Sequence, residues 1–165
     1  MILLCCKNSS FASLTPEDEA LEEKVKVGCS NCGATNNYPP GVSGKKVICG
    51  RCKYPLPEPG SVLELSASQA SAFFQNSKLP ILIDFFSPTC APCHMMHPVL
   101  ESFAKRRAGE IMVVRINVDE HHQVAAEFKV QGVPTFVILN KGYERGRTSG
   151  ALPEADFALW VASKV

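Results

Sequence analysis

Three Cys-x-x-Cys pairs lie in this chain of 165 residues, and they occupy two different settings. Cys29-Ser-Asn-Cys32 and Cys49-Gly-Arg-Cys52 sit among Gly, Asn and Pro, with no hydrophobic strand beside them. Sixteen residues separate Cys32 from Cys49, within the spacing of paired Cys-x-x-Cys zinc sites. Gly33 and Gly50 are placed to supply tight turns next to the sulfurs. A segment with so little apolar surface needs another source of folding energy, and a bound metal supplies it. Four cysteines leave no coordination position for water, so the site reads as structural rather than catalytic; an unmetallated loop with four thiols is the alternative. Cys90-Ala-Pro-Cys93 is different. It follows the apolar run Leu79-Pro-Ile-Leu-Ile-Asp-Phe-Phe86 and opens a helical pattern at His94-Met-Met-His-Pro-Val-Leu100. Sulfur attack requires a thiolate, and unpaired N–H groups at a helix N-terminus stabilise one. Cys93, one turn later, is close enough to resolve a mixed disulfide, and Pro92 restricts the turn between them. The competing readings are a buried cysteine pair or half of another metal site, but no second ligand pair lies nearby in sequence.

Asp84 stands in the middle of Ile81-Leu-Ile-Asp-Phe-Phe86, where burying a charge is costly and raises a carboxyl's pKa. Exposure on an edge strand is the bland alternative, and the apolar flanks argue against it. A buried carboxyl below the cysteine pair would accept the proton of Cys93 as that thiol becomes the attacking group. The Gly-Val-Pro-Thr turn at Val133-Pro134 is compatible with a cis peptide, although residue type alone favours trans. His94 and His97 read as partly exposed helix residues; the charge of His94 at acid pH would act on the thiolate. His121-His122 suits the cap of a solvated helix and Lys105-Arg-Arg107 a helix C-terminus. Cys5 and Cys6 have no partners at metal spacing.

These residues must be positioned by elements. Residues 1–27 read as an extension, with a short helix over Thr15–Lys26 capped by Thr15. Residues 28–57 hold the four-cysteine ribbon, which runs into the stiff linker Pro55-Leu-Pro-Glu-Pro-Gly60. Residues 61–165 alternate: a strand at 62–65, a helix from the Ser66 cap to Asn76, a buried strand at 80–86, and a helix at 90–107 interrupted by Pro98. A second buried strand follows at 111–118, a short helix at 121–128, a hairpin at 135–148 and a helix at 153–162 with Phe157 and Trp160 inward. The order βαβαβαββα predicts an α/β sandwich with a mixed sheet.

The bulk numbers fit that division. A hydrophobic fraction of 45% and a charged fraction of 20% describe a globular chain, not a disordered one. The net charge of +1 gives no overall attraction to nucleic acid or anionic membrane. From Lys24 to Pro57 there are six basic residues and no acidic one. That patch would stabilise the formal charge of about −2 on a zinc held by four thiolates; nucleic acid is the rival, with only Tyr38 and Tyr54 as stacking surfaces. The opening Met1-Ile-Leu-Leu-Cys-Cys-Lys7 lacks a basic n-region and is too short for a signal, and no run is long enough to span a membrane. Eight cysteines in that context point to a reducing compartment, the cytoplasm.

Phe85-Phe-Ser-Pro-Thr-Cys-Ala-Pro-Cys93, Asp84, Pro98, Gly132-Val-Pro-Thr135 and Gly150-Ala-Leu152 together resemble thioredoxin. With Cys29, Cys32, Cys49 and Cys52 ahead of them, the chain from about residue 28 is similar to the bacterial zinc-ribbon thioredoxins, the thioredoxin-2 class. The resemblance implies a thioredoxin fold, a mixed central sheet flanked by helices, behind an N-terminal zinc ribbon. It implies that Cys90 is the nucleophile, Cys93 the resolving thiol and Asp84 the buried proton acceptor, with Arg115 at the position of the lysine that modulates Asp84. It implies a cis Pro134 facing the dithiol, and a client surface of Thr89, Ala91, Pro92, Val133, Pro134 and Gly150. The activity implied is protein-disulfide reduction by a monomer. An NADPH-dependent flavin thioredoxin reductase would recycle it, clients with disulfides would be its partners, and nucleic acid and membrane would not. One structural zinc per chain is expected, and no cofactor at the redox site; a zinc-dependent redox sensor or holdase is the alternative function. Two residues depart from the pattern. Thr89 stands where the family has tryptophan and Ala91 where it has glycine, which changes the surface and loop beside the dithiol.

Overall fold

Each cysteine pair of the ribbon closes a tight turn of the same design. In the computed structural model of the chain, which describes residues 25–39 and 46–165, Gly33 N–H donates to Cys29 O at 2.8 Å and Lys53 N–H to Cys49 O at 3.0 Å. Cys29 N–H donates to Ala34 O at 2.9 Å, and Cys49 N–H to Tyr54 O at 2.8 Å. The residue after each second cysteine is left-handed, Gly33 at φ 69° and Lys53 at φ 62°. Gly50 does not play that part: the second turn bends at Lys53, so the expected glycine pair is half right. Strands β1 (Val25–Gly28) and β2 (Thr35–Tyr38) pair antiparallel around the first turn. The ribbon therefore begins ahead of residue 28. Val25 and Lys26 are strand, not the end of the helix expected from Thr15; the rest of that helix, like Cys5 and Cys6, lies outside the described residues.

Past the linker the alternating pattern folds as read. The strands are β3 (Val62–Glu64), β4 (Ile81–Phe86), β5 (Met112–Asn117), β6 (Thr135–Asn140) and β7 (Tyr143–Ser149). They form one sheet in the order β3-β5-β4-β6-β7. Strands β3, β5 and β4 are parallel, and β6 and β7 join antiparallel through a hairpin. The central strand β4 is buried at all six positions because helices cover both faces, which is why its sequence is a nearly unbroken apolar run. Helix α1 (Ala67–Asn76) starts in a capping box: Ser66 Oγ accepts from Gln69 N–H at 3.4 Å, and Ser66 N–H donates to Gln69 Oε1 at 3.1 Å. Helix α2 (Ala91–Arg106) carries Pro98 inside it and ends on Lys105 and Arg106, where cations oppose the negative end of the dipole. Helix α3 (His122–Glu127) has His121 at its N-cap position, but the His121 side chain makes no capping hydrogen bond. Helix α4 (Glu154–Ala162) buries Phe157 fully, with ring centroids 5.7 Å from Phe103 and 5.0 Å from Phe136; Trp160 is only half-buried. Among the described residues no helix is long and apolar enough to cross a membrane.

The sheet separates two apolar clusters. Leu82, Val113, Phe136 and Ile138 pack with Met96, Leu100 and Phe103 of α2 and with Phe157 of α4. Ile81, Ile83, Phe85, Val114 and Ile116 pack on the other face with Phe73 and Phe74 of α1 and Val124 of α3. Val27, Cys29, Tyr38, Cys49 and Leu56 join this second cluster, so the ribbon is docked rather than tethered. Two polar contacts accompany the docking: Gly28 N–H reaches Met112 Sδ at 3.5 Å, and Lys78 N–H reaches Thr35 Oγ1 at 3.3 Å.

Candidate functional site: a dithiol at a helix start and a four-cysteine cluster

Strand β4 runs out at Phe86, a short bend follows, and Cys90 becomes the N-cap of α2. Its sulfur accepts from Cys93 N–H at 3.2 Å, the interaction a capping side chain normally makes with the third residue of a helix. Cys90 and Cys93 are joined as a disulfide with Cα atoms 5.3 Å apart. The two sulfurs are not equivalent, because Cys90 is half-exposed whereas Cys93 is 1% exposed on the inner face of α2. Thr89, Ala91 and Pro92 beside them are exposed, as is Gly150. The Val133-Pro134 peptide is cis, as the resemblance implied and against residue-type preference, and Gly150 N–H donates to Pro134 O at 2.9 Å.

Strand alternation decides where Asp84 points. It shares a face with Leu82, which packs under α2, and its neighbours across the sheet are Arg115 and Phe136. The side chain is fully buried. Arg115 Nε donates to Asp84 Oδ2 at 2.9 Å, while Oδ1 is buried with no hydrogen-bond partner. Burial pushes the Asp84 carboxyl up to about 6, against the hydrogen bond and charge of Arg115, which pull it down. The edge-strand alternative is excluded, and the carboxyl is half compensated rather than isolated. Arg115 itself lies with its guanidinium carbon 3.7 Å from the centroid of the Phe86 ring, a cation–π contact.

One polar group escaped the sequence reading, and one histidine was read as partly exposed but without its partner. Ser87 Oγ donates to Asp119 Oδ2 at 2.6 Å, which leaves its lone pairs for Thr89 Oγ1 at 3.0 Å and Thr89 N–H at 3.4 Å. This polar clamp occupies the bend before Cys90, beside the position where the family pattern has tryptophan. The available signal was topological, since Ser87 and Asp119 each follow the carboxyl end of one of two paired parallel strands. The histidine is His97, whose Nδ1 is 3.0 Å from Arg115 Nη1. His94 instead turns its Nε2 to Pro88 O at 2.7 Å and stays exposed.

At the ribbon, the sulfurs of Cys29, Cys32, Cys49 and Cys52 all lie within 4.8 Å of one another. Cys29 and Cys52 are 3.6 Å apart and Cys32 and Cys49 3.8 Å apart. A tetrahedral zinc with bonds of about 2.3 Å places its sulfurs about 3.8 Å apart, so this donor set fits a metal ion of that kind. Arg51 N–H and Asn36 Nδ2 point at Cys49 Sγ at 3.4 and 3.5 Å, and Asn31 Nδ2 reaches Cys52 Sγ at 3.7 Å. Burial pushes the Cys29 thiol up to about 12; at Cys49 burial also raises, but the N–H groups of Cys52 and Arg51 with the side chains of Asn36 and Cys29 together bring it down to about 6.

Comparison with known proteins agrees with this geometry. A family model described as Thioredoxin matches residues 61–163. Thioredoxin C-3 of Corynebacterium nephridii is 35% identical over 135 residues, 82% of this chain and 92% of that protein. That match is longer than residues 61–165 can hold, so it extends into the four-cysteine segment. A thioredoxin of Haemophilus influenzae is 35% identical over 100 residues, 61% of this chain and 94% of its own. Among solved structures, a thioredoxin from Nicotiana alata superposes with a TM-score of 0.59 at 31% identity, covering 66% of this chain and 96% of that one. A mutant thioredoxin from Halobacterium salinarum also gives 0.59, at 27% identity, covering 66% and 94%.

Proposed function

The chain belongs to the thioredoxin family and is a thiol-disulfide oxidoreductase, and on that premise we propose that it is a cytoplasmic protein-disulfide reductase carrying a structural zinc ribbon. The observation that carries the reading is the asymmetry of the dithiol. One sulfur caps a helix and meets solvent, while the other is buried one turn on. In the reduced protein the Cys90 thiolate attacks one sulfur of a client disulfide. The client S–S bond breaks, its second sulfur leaves as a thiolate, and a Cys90–client mixed disulfide remains. Cys93 then gives its proton to Asp84 and attacks Cys90 Sγ. The client leaves reduced, and the Cys90–Cys93 disulfide forms with the two electrons now on the client. An NADPH-dependent thioredoxin reductase returns two electrons and restores the dithiol.

Thr89, Ala91, Pro92, Val133, Pro134 and Gly150 are proposed as the client surface, which is supported by the first three flanking the dithiol in sequence and by the β4–β6 register, which sets Thr135, next to the cis Pro134, opposite Phe85 near the end of β4 that leads to Cys90. Cys29, Cys32, Cys49 and Cys52 would hold one zinc as a closed structural site, supported by the spacing of their sulfurs and by the extent of the match to Thioredoxin C-3. On this reading the chain is of the zinc-ribbon class, with the segment from β1 to residue 57 as the ribbon and 61–165 as the catalytic unit, acting as a monomer. Cytoplasmic residence is supported by cysteines spaced for metal and redox work. The test is reduction of insulin disulfides with NADPH and a thioredoxin reductase, with and without chelator. Turnover that needs Cys90 supports the reading; no turnover with any thioredoxin reductase refutes it.

A further inference from the structure

The Asp84–Arg115 pair does not end at Arg115. The guanidinium spends Nε on Asp84 Oδ2 at 2.9 Å and directs Nη1 at His97 Nδ1, 3.0 Å away on α2. A guanidinium has no acceptor and keeps its protons, so Nδ1 must be the acceptor. The other ring nitrogen, Nε2, lies 3.5 Å from Glu101 Oε1. On its other edge the guanidinium borders a cavity of about 290 Å³ lined by Glu64, His97, Glu101, Lys105 and Arg115. Arg115 packs on the Phe86 ring with 13% of its side chain exposed, and two carboxylates, Glu64 and Glu101, line the same cavity.

We propose that His97 is a positioning residue: by accepting at Nδ1 it anchors the outer edge of the Arg115 guanidinium, so that Nε stays on Asp84 and the carboxylate keeps its one cation. The proposal rests on the reading of Asp84 as proton acceptor for Cys93 only for its effect on turnover. Its structural content, control of Asp84 through Arg115, stands apart from that reading. The groups facing Asp84 are Arg115 from β5 and uncharged Phe136 from β6, with α2 above contributing His97 through Arg115. The groups facing His97 are Glu101 and Lys105 from α2, Glu64 from β3 and Arg115 from β5. Loss of the anchor frees Arg115 toward the cavity carboxylates, and Asp84 then becomes harder to ionise.

The deciding measurement is the titration of the Asp84 carboxyl carbon by NMR in the disulfide form, where neither Cys90 nor Cys93 titrates. His97→Ala should move the midpoint upward by roughly half a unit, a threefold change in ionisation. His97→Asn, which places a carbonyl oxygen near the position of Nδ1, should restore it. Arg115→Met should shift it further, and adding His97→Ala to Arg115→Met should change nothing more. An unmoved midpoint in His97→Ala, or an equal extra shift on the Arg115→Met background, overturns the proposal. Melting temperatures of His97→Ala and His97→Asn separate loss of stability from loss of positioning, since only the second tracks the acceptor. The acid limb of the reduction rate in Asp84→Asn tests the role of Asp84 separately: if that limb persists unchanged, Asp84 is not the proton acceptor, whatever the titration shows of His97.

Discussion

Cys90 and Cys93 differ by a single helical turn, yet the turn gives them different surroundings. The capping position gives the Cys90 sulfur a backbone N–H donor and solvent access, while Cys93 is buried. Cys90→Ser should therefore abolish disulfide reduction, and Cys93→Ser should accumulate mixed disulfides with clients, visible as thiol-reversible adducts by mass spectrometry. Adducts on Cys93 in a Cys90→Ser protein would reverse the roles. Asp84 makes a second prediction. Its folded-state pKa, raised to about 6 by burial, lies above the ordinary carboxyl value, so the folded chain retains a proton that the unfolded chain releases. The protonated form's stability is fully present below about pH 4 and is lost as pH rises toward 6, by about 3 kcal/mol in all. Asp84→Asn should lack this decline, melt higher than the parent at pH 7, and reduce disulfides more slowly there. Equal melting curves at pH 4 and pH 7 for parent and variant would remove Asp84 from the interior.

At the scale of elements, the ribbon's two turns are built alike but face different surroundings. Gly33 meets α1: a Cβ added there would lie 2.7 Å from the Ala72 carbonyl oxygen and 2.9 Å from Phe73 Cα, at a left-handed φ of 69°. Lys53 holds the matching conformation at φ 62° as an exposed lysine, its ammonium group donating to Gly50 O at 3.2 Å. Gly33→Ala should then cost about 1–3 kcal/mol, from the left-handed penalty plus displacement off α1, whereas Lys53→Gly should be neutral or slightly stabilising. Urea denaturation of the metal-loaded variants reads both. An undisturbed Gly33→Ala would show that the first turn does not rest on the helix. Helix α2 shows the same economy of position, because its start supplies the redox cap and its inner face supplies Cys93, Met96 and Leu100 to the core.

For the molecule as a whole, the question is how far ribbon and sheet are one body. The stiff linker joins a metal-dependent segment to one with its own apolar core, but Val27, Cys29, Tyr38, Cys49 and Leu56 bury against the cluster that contains Phe73 and Met112. Metal binding at the four cysteines should thus stabilise more than the ribbon, by the usual dependence on free ligand concentration. One zinc per chain with sulfur-only coordination is expected from X-ray absorption. Strong chelation should lower the main melting transition while leaving dithiol activity measurable below it, because the sheet, α2 and Asp84 belong to residues 61–165. A chelated protein with an unchanged transition would restore full independence. Graded peroxide, with a chromogenic chelator and thiol labelling together, should oxidise Cys90 before zinc appears, since metal-bound thiolates share their charge with the ion. The opposite order would favour a sensor.

Most of what is set within a few residues along the chain was legible in its order of residues. The Ser66 cap, the buried run of β4, the order βαβαβαββα and the spacing of the cysteine pairs are local, because hydrophobic period, capping and turn chemistry act over one or two turns. Family resemblance added the cis Pro134, which residue preference alone did not favour. Tertiary structure decided what joins distant residues. His97 and Arg115 are 18 positions apart and Ser87 and Asp119 are 32; they meet because β4 and β5 are paired in one register and α2 crosses above them. The docking of the ribbon on α1 was hidden for the same reason. Its few apolar residues look too sparse to form a core until the helix supplies the other half.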